Sequence, residues 1–306
     1  MTATGSQVCY DDFRQELLAA GLLVATGVDG LYGRSGTFES IVGAIDAMVH
    51  DAAADQDAPT VHYPPLMPRA VFERTEYYRS FPDLMGSVHS FDGDDRAHAR
   101  LIERAMAGDD WSDLLQPTEL MLCSAACHPL YPSCSGRLAP GGRRVEVIGH
   151  CFRHEPSIDP ARMQSFRQHE VVYLGDEAGA RAHRDDWLER ALSLLRRLGL
   201  HVEPVVANDP FFGRAGRLLA NDQRENALKF EVVAPICSAG APTAIASSNC
   251  HLDHFGRPFD IETADGEVAH SACVGFGVER ITLALLRSHG LDPGGWPTSV
   301  RDALWP

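Results

Sequence analysis

The sequence predicts an α+β fold, a mainly antiparallel sheet flanked by helices. Two observations carry this. Strand-like runs dominate the second half and often follow one another directly, the mark of antiparallel pairing and not of strand–helix–strand crossovers. Neither GxGxxG nor GxxxxGK[ST] occurs in the 306 residues, so the glycine loops by which doubly wound folds hold nucleotides are absent.

The elements follow in order. Residues 11–20 read as a helix ended by Gly21. Over 38–50, Phe38, Ile41, Val42, Ile45, Met48 and Val49 fall on one face of a second helix. DAAADQDAPT (51–60) reads as a loose surface loop. Strand-like runs occupy 145–155 and 168–175. Trp187, Leu188, Ala191, Leu192, Leu195 and Leu198 share a face of a helix over 183–198, and Gly199 can close it. Further strand-like runs cover 228–236 and 243–251. No repeat, linker or composition shift divides the chain. One domain over 1–306 is expected, with a helical insertion near 209–228 as a place for a partner to dock.

Acidic residues outnumber basic ones 42 to 27, the formal charge is −15, and Lys229 is the single lysine. A chain that grips a polyanion carries a basic stripe, so extended tRNA or DNA binding is disfavoured. No apolar run approaches the roughly 20 residues of a membrane span. The N-terminus lacks the pattern of a secretory signal, and a cytoplasmic location is expected. Eight cysteines stand at 9, 123, 127, 134, 151, 237, 250 and 273. In a long cytosolic chain, metal ligation, catalysis or burial suit them better than disulfides.

Two motifs carry chemistry. In Cys151-Phe-Arg-His-Glu155, Arg153 and Glu155 sit two apart and share a strand face. Arg153 offers a planar charged fork for phosphate, Glu155 an acceptor for an exocyclic amine, and Phe166 a flat ring for a purine. On spacing alone a hairpin with a surface ion pair and a core Phe explains them as well. In Gly275-Phe-Gly-Val-Glu-Arg280, glycines precede an apolar helix whose first turn holds Arg280, which makes an anion site. Glycine turn with solvated arginine is the plain alternative.

Together and in this order the motifs resemble motifs 2 and 3 of the class II aminoacyl-tRNA synthetases. Motif 1 of that family, a helix leading to a strand with a key proline, would lie around 70–86. The stretch 117–133, Glu170, and 270–280 resemble the zinc-dependent, methanogen-type seryl-tRNA synthetases. They resemble still more closely their truncated relatives, the amino acid:[carrier protein] ligases. The resemblance spans roughly residues 30 to 290 and implies the following. Arg153 holds the α-phosphate of ATP. Phe166 and Arg280 sandwich the adenine, and Arg280 also reaches the γ-phosphate. Glu155 contacts the adenine amino group. Cys127, Glu170 and Cys273 hold one zinc, with Cys123 as the alternative to Cys127. Ser248 and Asn249 line the amino acid pocket. Glu231 is a site acid for magnesium or substrate, and the family's usual acidic magnesium ligand before the SxN stretch is replaced by Thr243 and Ala244.

Three zinc ligands leave a fourth position, which binds the α-amine of a small amino acid: glycine, alanine or serine. The expected reaction is ATP-dependent formation of the aminoacyl-adenylate, then transfer to the phosphopantetheine thiol of a small acidic carrier protein. Arg214, Arg217 and Arg224 belong either to a solvated helix or to a local basic docking patch for that acidic partner. The alternatives are a compact seryl-tRNA synthetase-like enzyme and an inactive amino-acid- or nucleotide-binding paralogue. Class II cores pair through motif 1, so a homodimer is expected by analogy.

Overall fold

The computed structural model describes residues 3–207, 227–237 and 240–306, with side chains from Tyr10 onward. The insertion near 209–228 and its three arginines therefore lie almost wholly outside the described residues. The helices are α1 (Ala3–Ala19), α2 (Gly36–Ala53), α3 (Arg69–Arg74), α4 (Tyr77–Ser80), α5 (Asp95–Ala107), α6 (Glu177–Arg197), α7 (Val278–His289) and α8 (Thr298–Leu304).

Local chemistry sets the helix ends. Ser35 caps α2 by accepting the Phe38 N–H at 3.2 Å, and Asp176 caps α6 by accepting the Gly179 N–H at 2.6 Å. Gly21 and Gly199, at φ +68° and +70°, take the left-handed backbone that ends α1 and α6. The predicted apolar face of α2 is buried. The 51–60 segment is not a loose loop. It holds the end of α2, a 3-10 turn (Ala54–Gln56) and the first residue of a strand. Gln56 Oε1 accepts from Trp187 Nε1 at 2.9 Å, and Arg190 grips Asp55 at 2.8 Å.

Seven strands form the main sheet: β3 (Thr60–Tyr63), β8 (Arg143–Phe152), β9 (Ser165–Gly175), β10 (Glu203–Val206), β11 (Lys229–Ala234), β12 (Thr243–Leu252) and β14 (His270–Gly277). Their order is β10-β11-β12-β14-β9-β8-β3. Every pairing is antiparallel except β3 with β8, which meets the predicted class. Small sheets flank it: β1 (Leu23–Ala25) with β2 (Tyr32–Arg34), β7 (Gly136–Arg137) with β13 (Ile261–Glu262), and β4 (Leu66–Pro68), β6 (Leu115–Leu122) and β5 (Ser87–Phe91).

The helix–strand–proline unit expected at 70–86 lies earlier. Residues 70–86 hold α3 and α4 and no strand, whereas α2 leads into β3, which ends at Pro64 and Pro65.

Alternation gives the sheet two faces. Val171, Val232, Ala246, Val274 and Phe276 join α1, α2, α6, α7 and α8 in the larger core. On the other face Val145, Val147, Val172 and Leu174 pack with the 3-10 turn His128–Cys134, Phe255 and Phe259. The rest of that second face is the floor of a cavity. Among the described residues no helix is long and apolar enough to cross a membrane.

Candidate active site

Cross-strand register builds the floor. Glu231 stands opposite Ser247, Ser247 opposite Gly275, and Gly275 opposite Glu170. One step along, Lys229 stands opposite Asn249, and Asn249 opposite Cys273. These two rows put Glu170, Cys273, Asn249, Ser247 and Lys229 in the wall of one cavity of about 580 Å³, together with Cys127, Arg153 and Glu155. Residues from 170 to 273 thus meet because four neighbouring strands present the same parity, while Cys127 comes from the turn before His128–Cys134 and Arg153 and Glu155 from the chain just after β8.

Cys127, Glu170 and Cys273 come together at one end, each at most 5% exposed. Hydrogen bonding to Cys273, with burial, holds the Cys127 thiol well above its usual range. The same bond holds Cys273 well below it; the two thiols share one hydrogen bond. Asn249 Nδ2 donates to Cys273 Sγ at 3.6 Å, and His251 Nε2 lies 3.5 Å from it. Burial and the charge of Cys273 push Glu170 up to about 8. Glu170 Oε1 accepts the Ala126 N–H at 3.1 Å, while Oε2 is buried without a hydrogen-bond partner. Cys123 does not join them. Its thiol turns to Pro64 O at 3.7 Å, and burial raises it to about 11.

As placed, no group of three or more His, Cys, Asp or Glu side chains among the described residues could hold a metal ion. The donor chemistry nevertheless fits zinc. Two thiols and a carboxylate are acceptable ligand types, and a divalent ion would replace the shared proton and partner the orphaned oxygen.

The other end is cationic. Arg153 follows β8, donates through Nε to Ser124 O at 3.3 Å, and lies over the Phe166 ring at 5.4 Å. Glu155 faces Arg162 at 3.5 Å. Phe166 and Arg280 stand across a slot of only about 10 Å³. There Arg280 donates to two main-chain carbonyls, Ala161 at 2.8 Å and Ala244 at 3.0 Å. Burial and the charges of Arg153 and Arg162 lower its pKa. The two expected walls of an adenine sandwich are therefore adjacent, with the gap between them closed.

Two expected residues are placed differently. Ser248 has the opposite parity from Asn249 and does not face the cavity; it is 1% exposed, and its Oγ donates to Arg184 O in α6 at 2.7 Å. Ser247 stands in the wall instead and accepts from Asn249 Nδ2 at 3.2 Å. Glu231 shares the floor parity but is not in the cavity wall; its carboxylate lies 3.3 Å from Lys229 Nζ. Lys229 and Ser247 were open to discovery from strand alternation with Asn249. Tyr77, Phe81 and His254, also in the wall, come from segments with no periodic signal toward the site.

Comparison with known proteins gives consistent relatives. Amino acid–[acyl-carrier-protein] ligase 1 of Bradyrhizobium diazoefficiens is 41% identical over 291 residues, 94% of this chain and 88% of that protein. Ligase 2 of the same organism is 41% identical over 289 residues, 94% and 86%. The type-2 serine–tRNA ligase of Methanopyrus kandleri is 26% identical over 266 residues, and the chain spans only 50% of its length. Among solved structures, M. kandleri seryl-tRNA synthetase, in complex with Aquifex aeolicus tRNASec, matches with TM-score 0.81 at 21% identity over 96% of this chain and 60% of that one. Pyrococcus horikoshii seryl-tRNA synthetase, complexed with ATP, gives 0.68 at 15% identity over 95% and 62%. At those identities the likeness is one of fold, the catalytic core of class II aminoacyl-tRNA synthetases. No protein-family model matches the chain. With two fifths of its residues identical over nearly its whole length, the chain belongs to the amino acid–[acyl-carrier-protein] ligase family.

Proposed function

We propose that the chain activates a small amino acid with ATP and passes the aminoacyl group to the phosphopantetheine thiol of an acidic carrier protein. The observation that carries this reading is a single cavity with the Cys127–Glu170–Cys273 trio at one end and Arg153 and Glu155 at the other.

The work of the side chains follows from position. The trio, as ligands of one zinc, would bind the amino acid by its amine; the ion would supply a template for the substrate. Asn249 and Ser247 then face the substrate side chain across a short floor, which suits glycine, alanine or serine. Arg153 neutralises the α-phosphate as a substrate carboxylate oxygen attacks phosphorus and pyrophosphate departs. Arg280 leaves the Ala161 and Ala244 carbonyls, opens the slot against Phe166 for adenine, and meets the γ-phosphate. Glu155 accepts from the adenine amine. Glu231, tied to Lys229, would supply a carboxylate for magnesium. The carrier thiol then attacks the acyl carbon, its proton leaves to solvent, and AMP is released. Catalysis here is positioning and electrostatic stabilisation without a protein nucleophile.

A carrier is favoured over tRNA by the family and by the charge of −15. Cys123, Cys127, Cys134, Cys151, Cys250 and Cys273 are free thiols, which suits the cytoplasm. A homodimer through α2 and β3 completes the proposal, by analogy with class II cores. Amino-acid-dependent exchange of labelled pyrophosphate into ATP tests activation; its absence in zinc-loaded protein favours an inactive paralogue. Offering the labelled acyl group to total tRNA and to phosphopantetheinylated carrier decides the acceptor, and labelled tRNA overturns the carrier reading.

A further inference from the structure

We propose that Glu279 is a positioning residue that sets the width and alignment of the adenine slot. The inference rests on the ATP-binding reading above. Glu279 is 1% exposed and lies in the first turn of α7, one residue before Arg280. Its Oε2 accepts the main-chain N–H of Arg167 at 2.8 Å, and Oε1 accepts from Arg167 Nε at 2.7 Å. Arg167 is the residue after Phe166. The two walls of the slot are thus each one residue from opposite ends of a single carboxylate bridge between α7 and β9.

The bridge is reinforced from a third direction. Arg34, at the end of β2, donates to Glu279 Oε1 at 2.8 Å, and its Nε lies 3.1 Å from Glu39. Arg167 closes the ring with a bidentate pair to Glu39 at 2.6 and 2.9 Å. Two arginines and two carboxylates balance, so the ring holds its geometry without leaving an unpaired charge. Arg167 points to the helix face of the sheet, behind the slot; Glu279 borders the slot, but its two carboxylate oxygens are taken up by Arg167 and Arg34. Their effect passes through the backbone. Arg280 itself is free to change partners, because α7 is fixed by its neighbour.

A bridge that only stabilised the fold would affect both substrates alike when removed. A bridge that sets the slot affects ATP alone. Glu279→Gln keeps the shape but loses the charge that both arginines share; Glu279→Asp keeps the charge on a shorter arm and partly restores function. Pyrophosphate exchange on the full chain should show KM for ATP raised about tenfold by Glu279→Gln, with KM for the amino acid within about twofold. Glu39→Gln, at the outer side of the ring, should raise KM for ATP less than Glu279→Gln does and leave KM for the amino acid near the parent value. A non-hydrolysable ATP analogue, titrated by calorimetry, should show the same loss. Equal rises in both KM values, or unchanged ATP binding in folded Glu279→Gln, overturn the inference. If Glu279→Gln does not fold, the same comparison is read from Glu279→Asp. Failure of the parent protein to bind the analogue instead overturns the ATP-binding reading.

Discussion

Ser247 and Ser248 are neighbours in sequence and stand on opposite faces of β12. Ser248 donates to Arg184 O and helps fasten α6 to the sheet, whereas Ser247 lies in the cavity wall beside Asn249. Ser248→Ala should therefore lower stability by about 1 kcal/mol, through the loss of a buried hydrogen bond, and leave the amino acid KM unchanged. Ser247→Ala should do the reverse. Thermal melts beside pyrophosphate exchange check both, and a KM effect confined to Ser248→Ala would contradict the parity. The cysteines allow a similar contrast. Cys273→Ala should lose zinc by elemental analysis, while Cys123→Ala, whose thiol turns to Pro64, should retain it. Spacing could not have named the trio: its members sit on a turn, β9 and β14, and only the resemblance brought them together. The choice of Ser248 shows the cost of carrying a motif over without working out which face each residue takes.

At the scale of elements, periodicity read α2 and α6 well, because each buries one apolar stripe against the sheet. It did not read β14. Ala272 to Phe276 are buried on both faces, so no alternation marks the strand, and its glycines read as a turn. It missed α5 because no residue of that helix is buried; nothing but its caps and helix formers specifies it. The connection from α2 to the sheet also hides a polar network. Glu146 in β8 is 1% exposed and accepts from Thr60 at 2.9 Å, while His169 and His50 approach it at 2.7 and 2.8 Å. Burial alone would raise Glu146, but the bonds from His169, His50 and Thr60 outweigh it and hold the carboxyl at about 2, below its ordinary 4.5. A depressed carboxylate stabilises the fold above its unfolded value and loses that contribution as pH falls through the folded one. Glu146→Gln should thus cost about 3–5 kcal/mol at neutral pH, the range for breaking a buried pair. The gap from the parent should narrow as pH falls below about 4.5. Urea midpoints measured from neutral to acid pH check it, and a gap that stays constant would mean the pair stabilises by shape alone.

For the whole molecule, the charge of −15 bears on how an acidic carrier can approach at all. Like charges repel over about a Debye length, roughly 8–10 Å at physiological salt, so productive docking needs a local patch of opposite sign. Arg214, Arg217 and Arg224, all outside the described residues, fall within eleven consecutive positions of the sequence and are the candidates. In the proposed reading adenylate formation takes place inside the cavity, between small ligands, and should sense little of that outer field. The two half-reactions should therefore separate with ionic strength. Pyrophosphate exchange should hold nearly constant as salt rises, while KM for the carrier changes, because screening acts on the long-range encounter and not on buried contacts. If the basic patch governs docking, KM rises with salt. If overall repulsion dominates and apolar contacts hold the carrier, KM falls. Arg217→Glu sharpens the distinction: it should raise the carrier KM by about tenfold at low salt, a cost of about 1.4 kcal/mol, and leave exchange unchanged. Steady-state transfer to phosphopantetheinylated carrier, run across a salt series with parent and variant, reads both effects. A carrier KM indifferent to salt and to Arg217→Glu would remove electrostatic steering from the account of partner choice and leave shape and apolar contact to explain it.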